Sequence, residues 1–450
     1  MLMNLLEFVV SEYDSLAALV IFLIVVVVTL FKWEYRLPIS IIGSSILLML
    51  NILNYDDFLR YMNFNIVIFL LGMMVIVGYL EENNYFTYLI SKIIKYMHGS
   101  GYRLFIIMMF LSAFFSALVD QVTAILFLSA LSFELSSLYE TDPYPLLIAI
   151  LFSIIVGGTA TVIGDPVSLI IAFQGNLTMT DFLHWAAPIT LLTLGVLIIY
   201  IILIFRRHVR GLTKSMESKD LVSVKSVLMS NQARNVGFST TILILVLILI
   251  MLHGYIASFL NNYLGFSLDS NTTLMLAPLI ISGIVLSKDV ELGRRIIIHR
   301  VDWDTLLFFV FFFIIVGSLD KTGILLVFRD IIIGYSGEST FKMFLLVAFI
   351  TGLLSIFVAN IMTVATLAPV IKLLYLKGLY VFPIWWAMLF SSVYMGISTP
   401  IGTTASLVLL GLLDKRRVER IPLHTWMKIG LPIAFISTIF ALLILFLWFF

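Results

Sequence analysis

The stretch GGTATVIGDPVSL, residues 157–169, separates the apolar run PLLIAILFSIIV from IIAF. It places adjacent glycines, Thr159, Thr161, Gly164, Asp165 and Pro166 where a membrane-crossing helix is half complete. Breaking a helix at that depth frees carbonyls at the end of one half-helix and N–H groups at the start of the next. In hydrocarbon such groups are costly, whereas around a binding site they are ligands. The half-helix ending near Gly157 offers partial negative charge suited to a cation, and the half beginning at Pro166 offers a positive end suited to an anion. An Asp cap followed by Pro at the first helical position is sound helix-starting chemistry, so Asp165 has a capping role. A carboxylate inside a membrane costs roughly 2.5–3.5 kcal/mol and persists only when paired or useful. Asp165 is therefore also expected to bind a coupling cation or carry a proton.

The surrounding chain fits a bilayer. Of 450 residues, 61% are hydrophobic and 12% charged, and the mean hydropathy is +1.12; a soluble protein of this length could not bury so much apolar surface. Net charge is +1, which gives no reason to expect a nucleic-acid partner. Cysteine is absent, so disulfides, thiolate catalysis and Cys-based metal sites are excluded. The histidines are scattered, no phosphate-binding loop is visible, and no cofactor is expected. The first residues, MLMNLLEFVVSEYD, carry acids and no basic region and do not read as a cleavable signal.

A helix needs about 20 apolar residues to cross the hydrocarbon core. The expected crossings lie near 15–31, 38–53, 64–80, 145–173 (broken), 183–205, 239–260, 272–287, 303–319, 383–413 (broken) and 429–449. Two further apolar stretches, 102–138 and 342–376, are interrupted by VDQVT (119–123) and VANIMT (358–363). Arms of about 16 residues with polar tips favour re-entrant hairpins, which are tolerated at membrane depth when buried in protein or lining a cavity. Positive residues in short loops stay cytoplasmic. With both termini outside the cell membrane, only Arg60, Lys321, Arg329, Lys342, Lys372 and Lys377 of the 27 Lys and Arg lie externally.

The chain is also a repeat. At an offset of 239 positions, Asn63 falls on Asp302, Asn65 on Asp304, Gly78 on Gly317 and Glu81 on Asp320. SALVDQ (116–121) falls on SIFVAN (355–360), and TVIGDPVSL (161–169) matches TPIGTTASL (399–407) with one residue slipped. Five crossings plus a hairpin per half make the second half enter with opposite orientation. The fold expected is an all-α polytopic membrane protein, an inverted-topology repeat with one re-entrant hairpin and one broken helix in each half. Residues 1–205 form the first repeat, 206–238 a basic cytoplasmic linker read as a solvated topology determinant, and 239–450 the second repeat. In such proteins substrate and coupling ions bind near the midplane, where discontinuous helices meet. Asp120, at a buried hairpin tip, is the second acid expected at that depth; its counterpart is Ala359, and that of Asp165 is Thr403, so charge coupling belongs to the first repeat. FTYLISKIIKYM (86–97) and GILLVFRDIII (323–333) read as interfacial helices, and Glu81, Asp302, Asp304 and Asp320 as residues marking crossing ends. The aromatic run LLFFVFFFIIVG reads as lipid-facing or core.

GGTATVIGDP, the polar-tipped hairpins and STPIGTTASL resemble the arsenical-pump, NhaD-type sodium/proton-antiporter and pink-eyed-dilution protein branch of the ion transporter superfamily, related to citrate and dicarboxylate carriers. The resemblance implies an elevator-type secondary transporter, often a homodimer. It places ion and substrate groups at Ser116, Asp120, Gln121 and Thr123; Gly158, Thr159, Thr161, Gly164 and Asp165; Ser355, Asn360 and Thr363; and Ser398, Thr399, Gly402, Thr403 and Thr404. The chain departs from the branch at Gln121, Ser168 and Ser406, where Asn is common. The resemblance makes the substrate an inorganic anion or oxyacid such as arsenite, with Na+ or H+ near Asp120 and Asp165. A sodium/proton antiporter or a sodium-coupled di- or tricarboxylate carrier are the alternatives. No arginine stands at either tip to clamp a dicarboxylate, and no catalytic constellation argues for an enzyme.

Overall fold

The computed structural model describes residues 2–89, 92, 99–217, 234–265, 267–415 and 421–450. Among these every regular element is helical, and ten helices are long and apolar enough to cross a membrane. That set is not the one expected from sequence. It includes the hairpin arms Gly101–Leu118, Gln121–Leu138 and Thr340–Phe357 and omits Arg36–Met49 and the half-helices. The arms run 17 or 18 residues rather than about 16, because Ser100 and Ser339 cap the incoming arms one or two residues before the apolar pattern begins and the outgoing arms start inside the polar tips, at Gln121 and Asn360. Length alone therefore does not separate a hairpin arm from a crossing.

The chain reversals are local chemistry. In the first hairpin Asp120 takes an extended backbone and accepts from Thr123 N at 3.0 Å, which ends one arm and caps the next. In the first broken helix, Tyr144–Gly157 gives way to a 3-10 turn at Gly158–Ala160 and a bent stretch to Asp165, whose carboxylate caps Pro166–Gly175 through Val167 N at 2.8 Å. The second half repeats this with Phe382–Met395, a turn at Gly396–Ser398, and Thr404–Lys415.

Packing interlocks the two halves. Helix Phe64–Glu82 lies on Ser270–Lys288, and Trp303–Lys321 lies on Arg36–Met49. The outgoing arm Gln121–Leu138 packs on Thr404–Lys415, and Asn360–Leu376 packs on Pro166–Gly175. Lipid is as apolar as these helices, so close approach rather than hydrophobic expulsion holds them, and small residues mark the contacts. At Gly72 a Cβ would lie 2.8 Å from the Pro278 carbonyl carbon. The aromatic run turns inward, since Phe308, Phe309, Phe312 and Phe313 are all buried.

Helix Ile324–Ser336 occurs where an interfacial helix was expected and packs on both arms of the second hairpin. Its counterpart at 86–97 is helical through Leu89, beyond which it falls mostly outside the described residues. The linker differs from expectation. Arg206–Glu217 is an amphipathic helix that buries Val209, Leu212 and Met216, while Arg206, Arg207, Arg210 and Lys214 stay exposed. Thr213 Oγ1 accepts from Gly101 N at 3.0 Å, docking the helix on the first hairpin. The remainder of the linker to residue 233 lies outside the described residues.

The two breaks depend on paired glycines. A Cβ on Gly164 would lie 2.5 Å from Ser116 O and 2.7 Å from Gly158 O, and one on Gly402 would lie 2.3 Å from Gly396 O. Gly164→Ala and Gly402→Ala are each expected to cost about 1–3 kcal/mol. Gly195→Ala, with nothing near its Cβ position, should stay within about 0.5 kcal/mol of the parent. Thermal unfolding midpoints in detergent distinguish the two classes.

Candidate functional site

Each hairpin tip is held against the break of its own half. Thr161 Oγ1 donates to Ala117 O at 2.6 Å, and Thr399 Oγ1 donates to Ile356 O at 2.7 Å. Ser116 Oγ donates to Ile154 O at 2.7 Å, and Gln121 Nε2 to Asp165 Oδ2 at 2.6 Å. In the second half Asn360 N donates to Gly402 O at 3.0 Å. Gly158 sits at the centre of the first cluster, where a Cβ would lie 2.6 Å from Gln121 Nε2 and 3.2 Å from Ser116 Oγ. Ser168 and Ser406, in the symmetric positions, bind Gly158 O at 3.3 Å and Thr403 Oγ1 at 2.7 Å.

A cavity of about 280 Å³ opens onto this cluster, walled by Asp120, Gln121, Thr123, Asp165 and Thr404. Asp165 and Gln121 are buried, at 2% and 3% exposure, while Asp120 is half-buried and accepts from Thr123 Oγ1 at 2.7 Å. Glu81, Arg300, Asp302 and Thr305 line the same cavity. Arg300 lies across Gly78, where a Cβ would meet its own Cβ at 2.8 Å. Its guanidinium reaches Glu82 Oε1 at 2.7 Å and Glu81 Oε2 at 3.1 Å. Asp302 accepts from Thr305 Oγ1 at 2.5 Å.

Other expected positions surround the second tip. Ser355, Thr363 and Ser398 are buried, and their hydroxyls find no hydrogen-bond partner among the described residues. Asn360, Thr399, Gly402 and Thr403 are buried beside them. Thr159 points elsewhere, with its hydroxyl 2.8 Å from Thr190 Oγ1 and 3.1 Å from Tyr394 OH in a buried cluster that joins the halves. Thr363 also lines an apolar cavity of about 420 Å³ against the second hairpin.

A family model described as Citrate transporter matches residues 18–268 and 270–450. The chain belongs to the citrate transporter family. An uncharacterized transporter of Mycobacterium tuberculosis is 27% identical over 86% of this chain and 90% of its own length. One from Synechocystis is 22% identical over 96% and 97%. The P protein of Homo sapiens is 24% identical over 84% of this chain and 52% of its own. In fold the chain is similar to the YdaH transporter of Alcanivorax borkumensis, with a TM-score of 0.57, 15% identity and coverage of 97% and 98%. The chain is thus a multi-pass membrane transporter.

Sequence reading missed Arg300, Glu81 and Asp302 as cavity residues, having placed the two acids at crossing ends. All three flank helices whose repeat pairing was visible, but only the interlocked packing brings residue 300 across helix Phe64–Glu82. No group of three or more His, Cys, Asp or Glu among the described residues is arranged to hold a metal.

Gln121→Leu removes the donor to a buried carboxylate and is expected to destabilise by about 1–3 kcal/mol. Combining it with Asp165→Asn should recover part of that loss, as contacting residues couple. A double-mutant cycle on unfolding midpoints checks it.

Proposed function

We propose that the protein is a cation-coupled secondary transporter of a small carboxylate-bearing anion, with Asp120 and Asp165 holding the coupling Na+ or H+. The observation that carries this reading is the convergence of both acids on one cavity beside the hairpin tip and the helix break. Deep carboxylates that survive burial are retained for ion movement. The orphaned hydroxyls of Ser355, Ser398 and Thr363 support a second polar subsite at the other tip. The contact of each tip with the middle of a broken helix supports the re-entrant reading, and the basic-residue pattern supports both termini outside the cell membrane.

For the substrate, two features favour a di- or tricarboxylate over arsenite. The family model spanning the chain is described as Citrate transporter, and Arg300 lines the cavity, a guanidinium held by Glu81 and Glu82 that a substrate carboxylate would have to share or take over. Arg–carboxylate pairs are bidentate and strong. A sodium/proton antiporter is the second reading, favoured by the excess of acids over Arg300 in the same cavity.

Proteoliposome uptake of citrate, succinate, arsenite and 22Na+ under imposed Na+ and pH gradients tests these readings. Wild type should move a carboxylate, and Asp120→Asn and Asp165→Asn should each abolish the dependence on the driving gradient. If both variants keep the parent's ion dependence, the assignment of coupling to these acids fails. Gradient-driven Na+ flux without any anion would favour the antiporter.

A further inference from the structure

The Asp120 cavity has a counterpart. A second cavity of about 280 Å³ is walled by Arg60, Tyr61, Asn63, Gln174, Asp320 and Lys372 among others. Residues 60, 61, 63 and 320 correspond, at the offset of 239, to His299, Arg300, Asp302 and Glu81 of the first. The correspondence extends to the packing: Tyr61 lies across Gly317, where a Cβ would sit 2.1 Å from its Cγ, as Arg300 lies across Gly78. Tyr61 OH donates to Asp320 Oδ2 at 3.2 Å, as Arg300 binds Glu81. One architecture is therefore built twice, once in each half.

The chemistry is reversed between the copies. The first has Glu81, Asp120, Asp165 and Asp302 against Arg300. The second has Arg60 and Lys372 against Asp320 alone. Asp302 becomes the amide Asn63, and His299 becomes the guanidinium of Arg60. The second cavity adjoins another of about 480 Å³ that shares Gln174 and Lys372. The acid there, Asp269, caps its own helix by accepting from Thr272 N at 2.7 Å.

Both cations lie on the face that the basic-residue pattern assigns to the outside, where few Lys and Arg occur. On that face Lys321 pairs with Asp57, and Arg329 with Asp330 at 2.8 Å. Arg60 and Lys372 are exposed and make no ion pair among the described residues. With two cations against Asp320 the cleft carries excess positive charge, which raises the local concentration of anions.

We propose that the Arg60–Lys372 cavity is a recruiting site for oxyanion-bearing solutes, separate from the Asp120–Asp165 cavity. Its assignment to the transported substrate rests on the anion reading above; its anion selectivity does not. Asn63 and Gln174 line the same cavity and add neutral amide donors suited to carboxylate or other oxyanion oxygens.

The absence of Cys in the chain permits a direct test on the full-length protein. Gln174→Cys is reacted with an anionic sulfonatoethyl and a cationic trimethylammonioethyl methanethiosulfonate, and the ratio of the two rates is measured. The ratio should favour the anionic reagent and fall about tenfold in the Arg60→Gln/Lys372→Gln background. Arg60→Lys/Lys372→Arg should retain it, and Lys377→Gln should leave it unchanged. A ratio unaltered by the double Gln variant, or lowered equally by Lys377→Gln, overturns the site. In parallel, the double Gln variant without the added Cys should raise KM for the transported anion with kcat unchanged. If the labelling ratio falls as expected while no anion is transported, the site stands and the anion-carrier reading is what fails.

Discussion

In the bilayer interior no water is available to a carbonyl or an amide N–H, so a helix can break only where other protein groups take up what the break releases. The contact of hairpin tip with helix break meets that constraint in both halves. Thr161 and Thr399 each donate to a carbonyl at the end of a hairpin arm, and Gln121 turns a buried carboxylate into a paired one. The glycine pairs 158/164 and 396/402 let the strands of each break approach within the space a Cβ would occupy. This contact gathers polar groups from distant segments at one place and satisfies part of their hydrogen bonding.

The second consequence is interdependence of the halves. Each outgoing hairpin arm packs on the other half's broken helix, and each helix of the pair Phe64–Glu82 and Trp303–Lys321 packs on a helix of the opposite half. The buried core runs continuously through both halves. The same interlocking makes two cavities from one plan and places residues 300 and 61 over Gly78 and Gly317. On this shared framework, Asp302 against Asn63 and His299 against Arg60, together with Asp120 and Asp165 in the first cavity and Lys372 in the second, give the two cavities opposite character.

Much of this was legible beforehand. The breaks at 158–165 and 396–403, the tips at 120 and 359, and the correspondence of the halves follow from strong local signals: Gly pairs, an Asp–Pro start, and polar residues inside apolar runs. The capping role of Asp165 is likewise a property of a few adjacent residues. The arm lengths were underestimated because caps extend helices past the apolar pattern. The linker helix Arg206–Glu217 was read as solvated because its charges are conspicuous, while its buried Val209, Leu212 and Met216 are three residues among many. Thr159 looked like its neighbours in the break, yet its hydroxyl turns to Thr190 and Tyr394, and nothing local indicates that direction.

By itself the sequence determined that the chain lives in a membrane, that it is built twice, where its helices break, and that Asp120 stands at a hairpin tip and Asp165 at a break. These are matters of composition, periodicity and near-neighbour chemistry, which act over a few residues. Tertiary structure alone decided which groups share a cavity: that Gln121 pairs with Asp165, that Glu81, Arg300 and Asp302 line one cavity with Asp120, and that Arg60 and Lys372 line another. Those juxtapositions join residues far apart in the chain, and packing sets them: tip against break within one half for Gln121 and Asp165, and segments of opposite halves meeting over Gly78 and Gly317 for the two cavities.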